Sequence, residues 1–382
     1  MRSTLARPAW SLALAVVVLC GCPSEDPFPS DDELLHLQGL LHQLTPQPLA
    51  ANALRKDARA VELGQALFED PGLSSCGTLS CATCHPAPSY AGNTPLAQGC
   101  NGLTARNTPT LLNAGFRDWF YWDGRKDSLW SHAILPLTRD VEMNATPASL
   151  RAHVSEFYGS QYAALFGTSP SEESDDLLLS HFGKTLDAYM STLVKVRAPF
   201  DDALQDFTAQ AAAGQDVSKH PLYLGLKTFA RKGRCIACHK GPNFTDELFH
   251  NLGVDDNGTQ DPGRASGIDI VLADKFNGAG AFSENPRDTK PRIDALATAN
   301  RTELLGAFKT PSLRNVALTA PYMHTGRFRS LAEVVDFYNR GGDPQGTFVG
   351  TRTDTIQKLD LSDAEKQALV QLLEQLTGSE NP

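Results

Sequence analysis

Apolar residues recur at intervals of three and four along most of this chain, the spacing that aligns side chains on one face of a helix. Alternating runs of the kind that make half-buried strands are scarce. The first such segment, Asp31 to Leu44, carries Leu34, Leu35, Leu41 and Leu44 among polar residues and predicts an amphipathic helix packed on the body of the protein. Further helices are predicted over about 56–68, from near Asp127, and over about 172–196. Another starts at Thr146-Pro147, where the threonine caps and the proline takes the first turn. The pattern resumes over 218–232 and 330–338, and Ser362 with Glu365 forms a capping box that opens a last helix. The stretch between 68 and Gly115 is rich in loops. Residues Gly253 to Asn300, rich in Gly, Asp, Asn and Pro, predict a long surface excursion, either a lid or an insertion. The fold expected is mainly α: a tether and N-terminal helix over 23–56, then two helical domains over 57–200 and 201–382.

The first 22 residues follow another pattern. Arg2 and Arg7 precede an apolar run from Leu12 to Leu19, which is too short to span a bilayer and gives way to polar sequence rich in Pro, Ser and Asp. This reads as a secretory signal over 1–22. Its ending, Leu19-Cys20-Gly21-Cys22, resembles a lipobox, so Cys22 is expected to become a lipidated N-terminus that holds the protein to a membrane in the periplasm or cell envelope. An ordinary signal with an incidental cysteine is the alternative. A content of 41% hydrophobic and 20% charged residues excludes disorder as the default. The net charge of −10 becomes about −12 once the two signal arginines are removed, which disfavours nucleic acid and mildly favours a basic protein partner.

The candidate chemistry lies in the cysteines. Cys81-Ala82-Thr83-Cys84-His85 and Cys235-Ile236-Ala237-Cys238-His239 both read C-x-x-C-H, in which two thiols add to the vinyl groups of a haem and the adjacent histidine ligates its iron. With 8 cysteines and 10 histidines in 382 residues, one chance match arises on the order of once in a few hundred chains, so two are negligible. A redox-active C-x-x-C or a zinc site competes. Export, the histidine at the same place in both motifs and the lack of further tandem cysteine pairs weigh against both. Two covalent haem c groups are therefore expected, one per half, and these motifs are the one internal repeat visible in the sequence. Cys76 and Cys100 bracket the first motif. In an oxidising compartment they are expected to close a loop of about 25 residues as a disulfide worth roughly 3 kcal/mol, since two free thiols beside a haem there would be oxidised; two free thiols are the alternative.

Several ordered segments accompany these motifs: LFEDPGL (67–73), RNTPTLLN (106–113), FYWDGR (120–125), VEM (141–143), FKTPSLRN (308–315) and APYMHTG (320–326). Together with the two haem motifs they resemble the bacterial di-haem cytochrome c peroxidase family, including its MauG-like branch, over about 57–378. The resemblance implies two cytochrome c-like helical domains, with the first haem meeting hydrogen peroxide and the second relaying electrons. It implies that Glu142 is the distal acid–base residue and that Trp122 lies between the haems. A carboxylate suits that task, because splitting the O–O bond needs a proton moved from the inner to the outer oxygen. It also implies a calcium site from Asn107 and the carbonyls of Thr319 and Pro321, with His324 close by and not an iron ligand. Read alone, Glu142 would be a solvated charge and Trp122 simple core packing.

The chain departs from the family's pattern in three places. The loop from Pro86 to Ala105, where ordinary members carry a histidine that caps the first iron, contains none, so the first haem is expected to be open. His132 stands where the family usually has glutamine, ten residues before Glu142. It can join the acid–base machinery, ligate iron, or be only a polar residue on a helix. The far ligand of the second haem is methionine in ordinary members and tyrosine in the MauG-like branch. Its position, seventeen residues after Pro321, holds Tyr338, whose bland alternative is a core aromatic. Met1, Met143, Met190 and Met323 all lie in other segments. A phenolate favours oxidised iron more than a thioether does. Three functions follow. The chain is a peroxidase fed by a small cytochrome c or copper protein, a MauG-like enzyme that oxidises side chains of a partner protein, or a non-catalytic di-haem electron carrier, against which Glu142 and the uncapped first haem argue.

Overall fold

The computed structural model describes residues 27–41 and 52–378; the expected signal segment, Cys22 and Leu44 lie outside them. Two separate apolar cores organise the described residues. The first forms where the helices Ala58–Glu69, Leu129–Thr138 and Asp175–Met190 cross, burying Leu63, Leu67, Phe68, Trp130, Ile134, Phe182 and Leu186. Close approach at these crossings requires glycine. A Cβ on Gly64 would come within 2.2 Å of the Thr185 carbonyl, and one on Gly183 within 2.4 Å of the Trp130 carbonyl. The second core gathers Tyr223–Ala230, Leu331–Asn339 and Asp363–Glu374 around Leu226, Phe229, Val335 and Leu372.

The N-terminal helix Asp31–Gly39, capped by Ser30 and Glu33, belongs to the second core although it precedes the first in sequence. Leu37 and Leu40 are fully buried there with Phe200, Leu204 and Phe207, and Arg231 holds Glu33 at 2.6 Å. The expected helix over 172–196 ends at Met190. The chain then turns so that the Lys195 backbone meets two asparagines.

Those asparagines reveal a second internal repeat that the sequence reading missed. Asn113 and Asn315, 202 positions apart, both adopt left-handed backbone (φ 59° and 63°) and both open a 3₁₀ turn, Ala114–Phe116 and Val316–Leu318. Both amides donate to the Lys195 carbonyl, at 2.9 and 2.8 Å. The same offset relates the isolated bridges Phe120 to Lys126 and Tyr322 to Phe328, and the helix caps Ser128 and Ser330. Lys195 thus sits where the two halves meet as near-equivalents.

The stretch over 253–300 is not a loose excursion. It contains the helices Arg264–Ala273 and Pro286–Ala297, which close over a small core of Ile268, Val271, Ile293 and Leu296 with Trp119 from the first half. Arg264 and Arg292 lie 4.2 and 4.7 Å over the Trp119 ring. Lys126 pairs with Asp274, Lys184 with Glu284 at 3.1 Å, and Gly278 N–H donates to Asp127 at 2.8 Å. The Gly, Asn and Asp residues that suggested a loop are the punctuation between two short helices whose apolar faces are too narrow to announce themselves.

Candidate active site

Each C-x-x-C-H segment is folded in the same way. Cys81–Cys84 forms one helical turn with Ser80 before it, Cys235–Ala237 forms a 3₁₀ turn, and the following histidine N–H closes on the first cysteine's carbonyl at 2.9 and 2.8 Å. Five residues on, Tyr90 and Phe244 adopt φ of 48° and 52°, which turns their carbonyls towards the histidines. Nδ1 of His85 and of His239 each lies 2.9 Å from that oxygen. This bond fixes the tautomer and the ring plane and leaves Nε2 as a lone-pair donor for a metal. Burial pushes His85 down to about 4 and lowers His239 as well, so both rings are neutral. Burial also pushes the Cys81 and Cys235 thiols up to about 12.

A cavity of about 680 Å³ opens in front of His85, within the size range of cofactor clefts. A second cavity, in front of His239, is lined mainly by apolar groups. Two thiols, an oriented histidine and an apolar hollow in each half are the donor set that a covalent haem requires, so the residues fit two of them. Cys238 also lies within 4.8 Å of Asp246 and His250. Haem attachment at Cys238 would take its thiolate out of that cluster.

Glu142, Arg139 and His132 all line the first cavity. Arg139 Nη1 donates to Glu142 Oε1 at 2.9 Å, and the Glu142 carbonyl accepts from Cys100 N–H at 2.8 Å. Cys100 is bonded to Cys76 as expected, with Cα atoms 5.7 Å apart, so the disulfide loop backs the Glu142 segment. A Cβ on Gly99 would meet the Val141 carbonyl at 1.7 Å. The positioning role of this glycine and disulfide was not legible in the sequence, because the contact joins segments forty residues apart.

His132 is buried on the Leu129–Thr138 helix, its ring 4.6 Å from that of Tyr121, and Nδ1 has no partner. Burial holds its pKa well below the ordinary value. The Pro86–Ala105 loop gives the first cavity Leu96, Ala97, Gly99, Thr104 and Ala105, while His85 and His132 are the histidines on its wall. Trp122, Tyr121, His132 and Asn107 line both cavities and form the partition between them. Trp122 Nε1 donates to the Asn107 carbonyl at 2.9 Å, and its own carbonyl accepts from Lys309 N–H at 2.7 Å.

The second cavity is lined by Tyr338 from the Leu331–Asn339 helix. Burial raises its phenol above the usual value, and the Cys235 and Cys238 sulfurs lie near enough to add to that shift. Met323, from the separate Pro321-Tyr322-Met323-His324 segment, lines the same cavity and packs in one apolar cluster with Tyr338. Asn107, Thr319 and Pro321 also share this wall. His324 is buried there, stacked at 3.7 Å on Phe308 and 6.4 Å from the Trp122 ring.

Residues 58–209 match the family model of the di-haem cytochrome c peroxidases. The chain is 32% identical to the methylamine utilization protein MauG of Methylorubrum extorquens, over 98% of this chain and 96% of that one. The chain belongs to the di-haem cytochrome c peroxidase family. It is also 33% identical to the cytochrome-c peroxidase IdrP2 of Denitromonas iodatirespirans, over 88% of this chain and 85% of its relative. Among solved structures it superposes with a TM-score of 0.64 on a MauG-like protein associated with microbial copper homeostasis, at 25% identity over 88% of this chain and 94% of that one. The diheme peroxidase BthA of Burkholderia thailandensis shares the fold at the same TM-score and 22% identity, over 88% of each chain. As a member of this oxidoreductase family the chain is a mainly helical, two-haem enzyme.

Proposed function

We propose that this protein reduces hydrogen peroxide to water, H₂O₂ taking up two electrons and two protons, in the cavity in front of His85. The observation that carries the reading is the distal wall of that cavity. It offers an anchored carboxylate, Glu142, and a buried neutral histidine, His132, while the loop over 86–105 brings no capping ligand. Haem held by Cys81, Cys84 and His85 would bind the peroxide, and haem held by Cys235, Cys238 and His239 would supply electrons. Glu142 then takes the proton from the inner peroxide oxygen and returns it to the outer one, with Arg139 fixing its other oxygen. Trp122 bridges the partition, and electrons come from a small donor protein such as a cytochrome c or copper protein. The halves 57–200 and 201–382 act as the peroxide-binding and electron-transfer domains. Asn107 with the Thr319 and Pro321 carbonyls holds a calcium ion at their junction. Export as a lipoprotein through Cys22 places the enzyme in the cell envelope.

Tyr338 favours a second reading, MauG-like oxidation of a partner protein's side chains. Tyr338 lines the cavity in front of His239, and its phenolate would favour oxidised iron there and oppose a simple relay. Mixing the purified protein with peroxide, with and without reduced cytochrome c, separates the readings. Rapid donor oxidation supports the peroxidase. A long-lived oxidised state, seen optically and by EPR even with donor present, supports the MauG-like enzyme, and no reaction sinks both.

A further inference from the structure

Two buried cations at the junction have no role in the chemistry above. Lys309 and Arg117 are 8% and 9% exposed and both line the cavity in front of His239. Lys309 Nζ reaches only the Thr310 carbonyl, at 3.3 Å, and the Glu247 carboxylate, at 3.6 Å. Arg117 donates its terminal nitrogens to the Thr110 and Leu112 carbonyls at 2.8 Å each, and its Nε has no partner. The carboxylate beside both of them is Glu247, and the neighbouring Asp246 is engaged by His250 at 2.9 Å. Two buried cations thus share one free carboxylate, Glu247. A buried positive charge in excess is costly unless an anion joins it. Lys309 and Arg117 line the cavity while Glu247 does not; of the carboxylates on that wall, Asp261 is paired with Arg106 at 2.7 Å and Asp256 accepts from the Gly258 and Asp261 N–H groups, so neither is free to answer the two cations.

The 202-residue offset gives these positions a meaning. It relates Lys309 to Asn107 and Arg117 to Thr319, and Asn107 and Thr319 are two of the proposed calcium ligands. Where one side of the junction offers neutral oxygens to a metal ion, the equivalent side carries an ammonium and a guanidinium. We propose that Lys309 and Arg117, one from each half of the chain, are a built-in counterpart of that ion and clamp a propionate carboxylate of the second haem. The inference rests on Cys235, Cys238 and His239 holding a haem. It also makes the first half of the chain part of the second haem's site.

Lys309→Gln in the holoprotein tests this, because the thioethers at Cys235 and Cys238 keep the haem in place when the charge is removed. The readouts are the second haem's midpoint potential by spectroelectrochemistry, with the first haem as internal reference, and its propionate-bending band in the resonance Raman spectrum. A fixed cation beside a haem disfavours the more positive ferric state. The second haem's potential is therefore expected to fall relative to the first and the propionate band to shift, while Lys309→Arg keeps both as in the wild type. Unchanged potential and band in Lys309→Gln overturn the clamp. If that variant does not fold, Arg117→Gln must move the same two readouts or the clamp fails. Finding no second covalent haem in denatured protein sinks the underlying haem reading instead.

Discussion

Glu142 is held twice, by the Arg139 ion pair on its side chain and by Cys100 on its carbonyl, so its carboxylate cannot drift from the cavity without disturbing the disulfide loop. Glu142→Gln keeps the shape and removes the proposed proton carrier. It should leave both haems attached and slow peroxide reduction by roughly 100-fold, the scale of a positioned proton-transfer group. A variant as fast as the wild type would hand the role to His132, whose unpartnered Nδ1 faces no competing bond. On the second haem, Tyr338→Met should raise the potential, since a thioether favours reduced iron. Met323 shares that cavity. If the wild-type ferric spectrum has the near-infrared band of His/Met ligation and Met323→Leu removes it, the assignment to Tyr338 is wrong.

At the scale of elements, the two helices inserted over 253–300 act as a strap from the second half onto the first. Their contact centres on Trp119, whose ring lies under Arg264 and Arg292 and packs edge-on to Phe249 at 6.3 Å. Arg264 is 2% exposed and also donates to the Gly124 carbonyl at 2.6 Å and to that of Asp123, next to Trp122, at 3.2 Å. The strap therefore bears on the partition between the cavities. Trp119→Ala removes a buried ring and leaves two guanidiniums without it, at a cost of about 3–5 kcal/mol. Thermal unfolding should show a clearly lowered Tm. A loss under about 1 kcal/mol would mean that the hairpin does not depend on this tryptophan.

At the scale of the whole molecule, the halves are near-equivalents that meet at Lys195, and each offers the same pair of cysteine thiols and oriented histidine. Protein denatured and extracted with acidified solvent should therefore keep two haems, with the pyridine haemochrome spectrum of thioether-linked groups. One haem, or none, contradicts the account at its root. The polarity of the molecule comes from what differs between the halves. Glu142 and Arg139 face one cavity, Tyr338 with Lys309 and Arg117 face the other, and His132 stands in the partition between them.

The sequence by itself determined the helical class, the two haem motifs and the Cys76–Cys100 pair, because each depends on spacing within one segment or on a chemistry with few alternatives. It also marked Glu142, His132 and Tyr338, through motifs that resemble a family. Tertiary structure alone decided the rest. The T-P-x-L-x-N repeat ending at Asn113 and Asn315 was present in the letters, but its meaning appears only where both side chains converge on Lys195. The hairpin over 253–300 read as a loop because its stability comes from Trp119, which lies more than a hundred residues away in sequence. Nothing local to Arg117 or Lys309 tells that both are buried against one cavity. Periodicity and motifs report contacts made along the chain; burial and charge balance are set by segments that meet only when it folds.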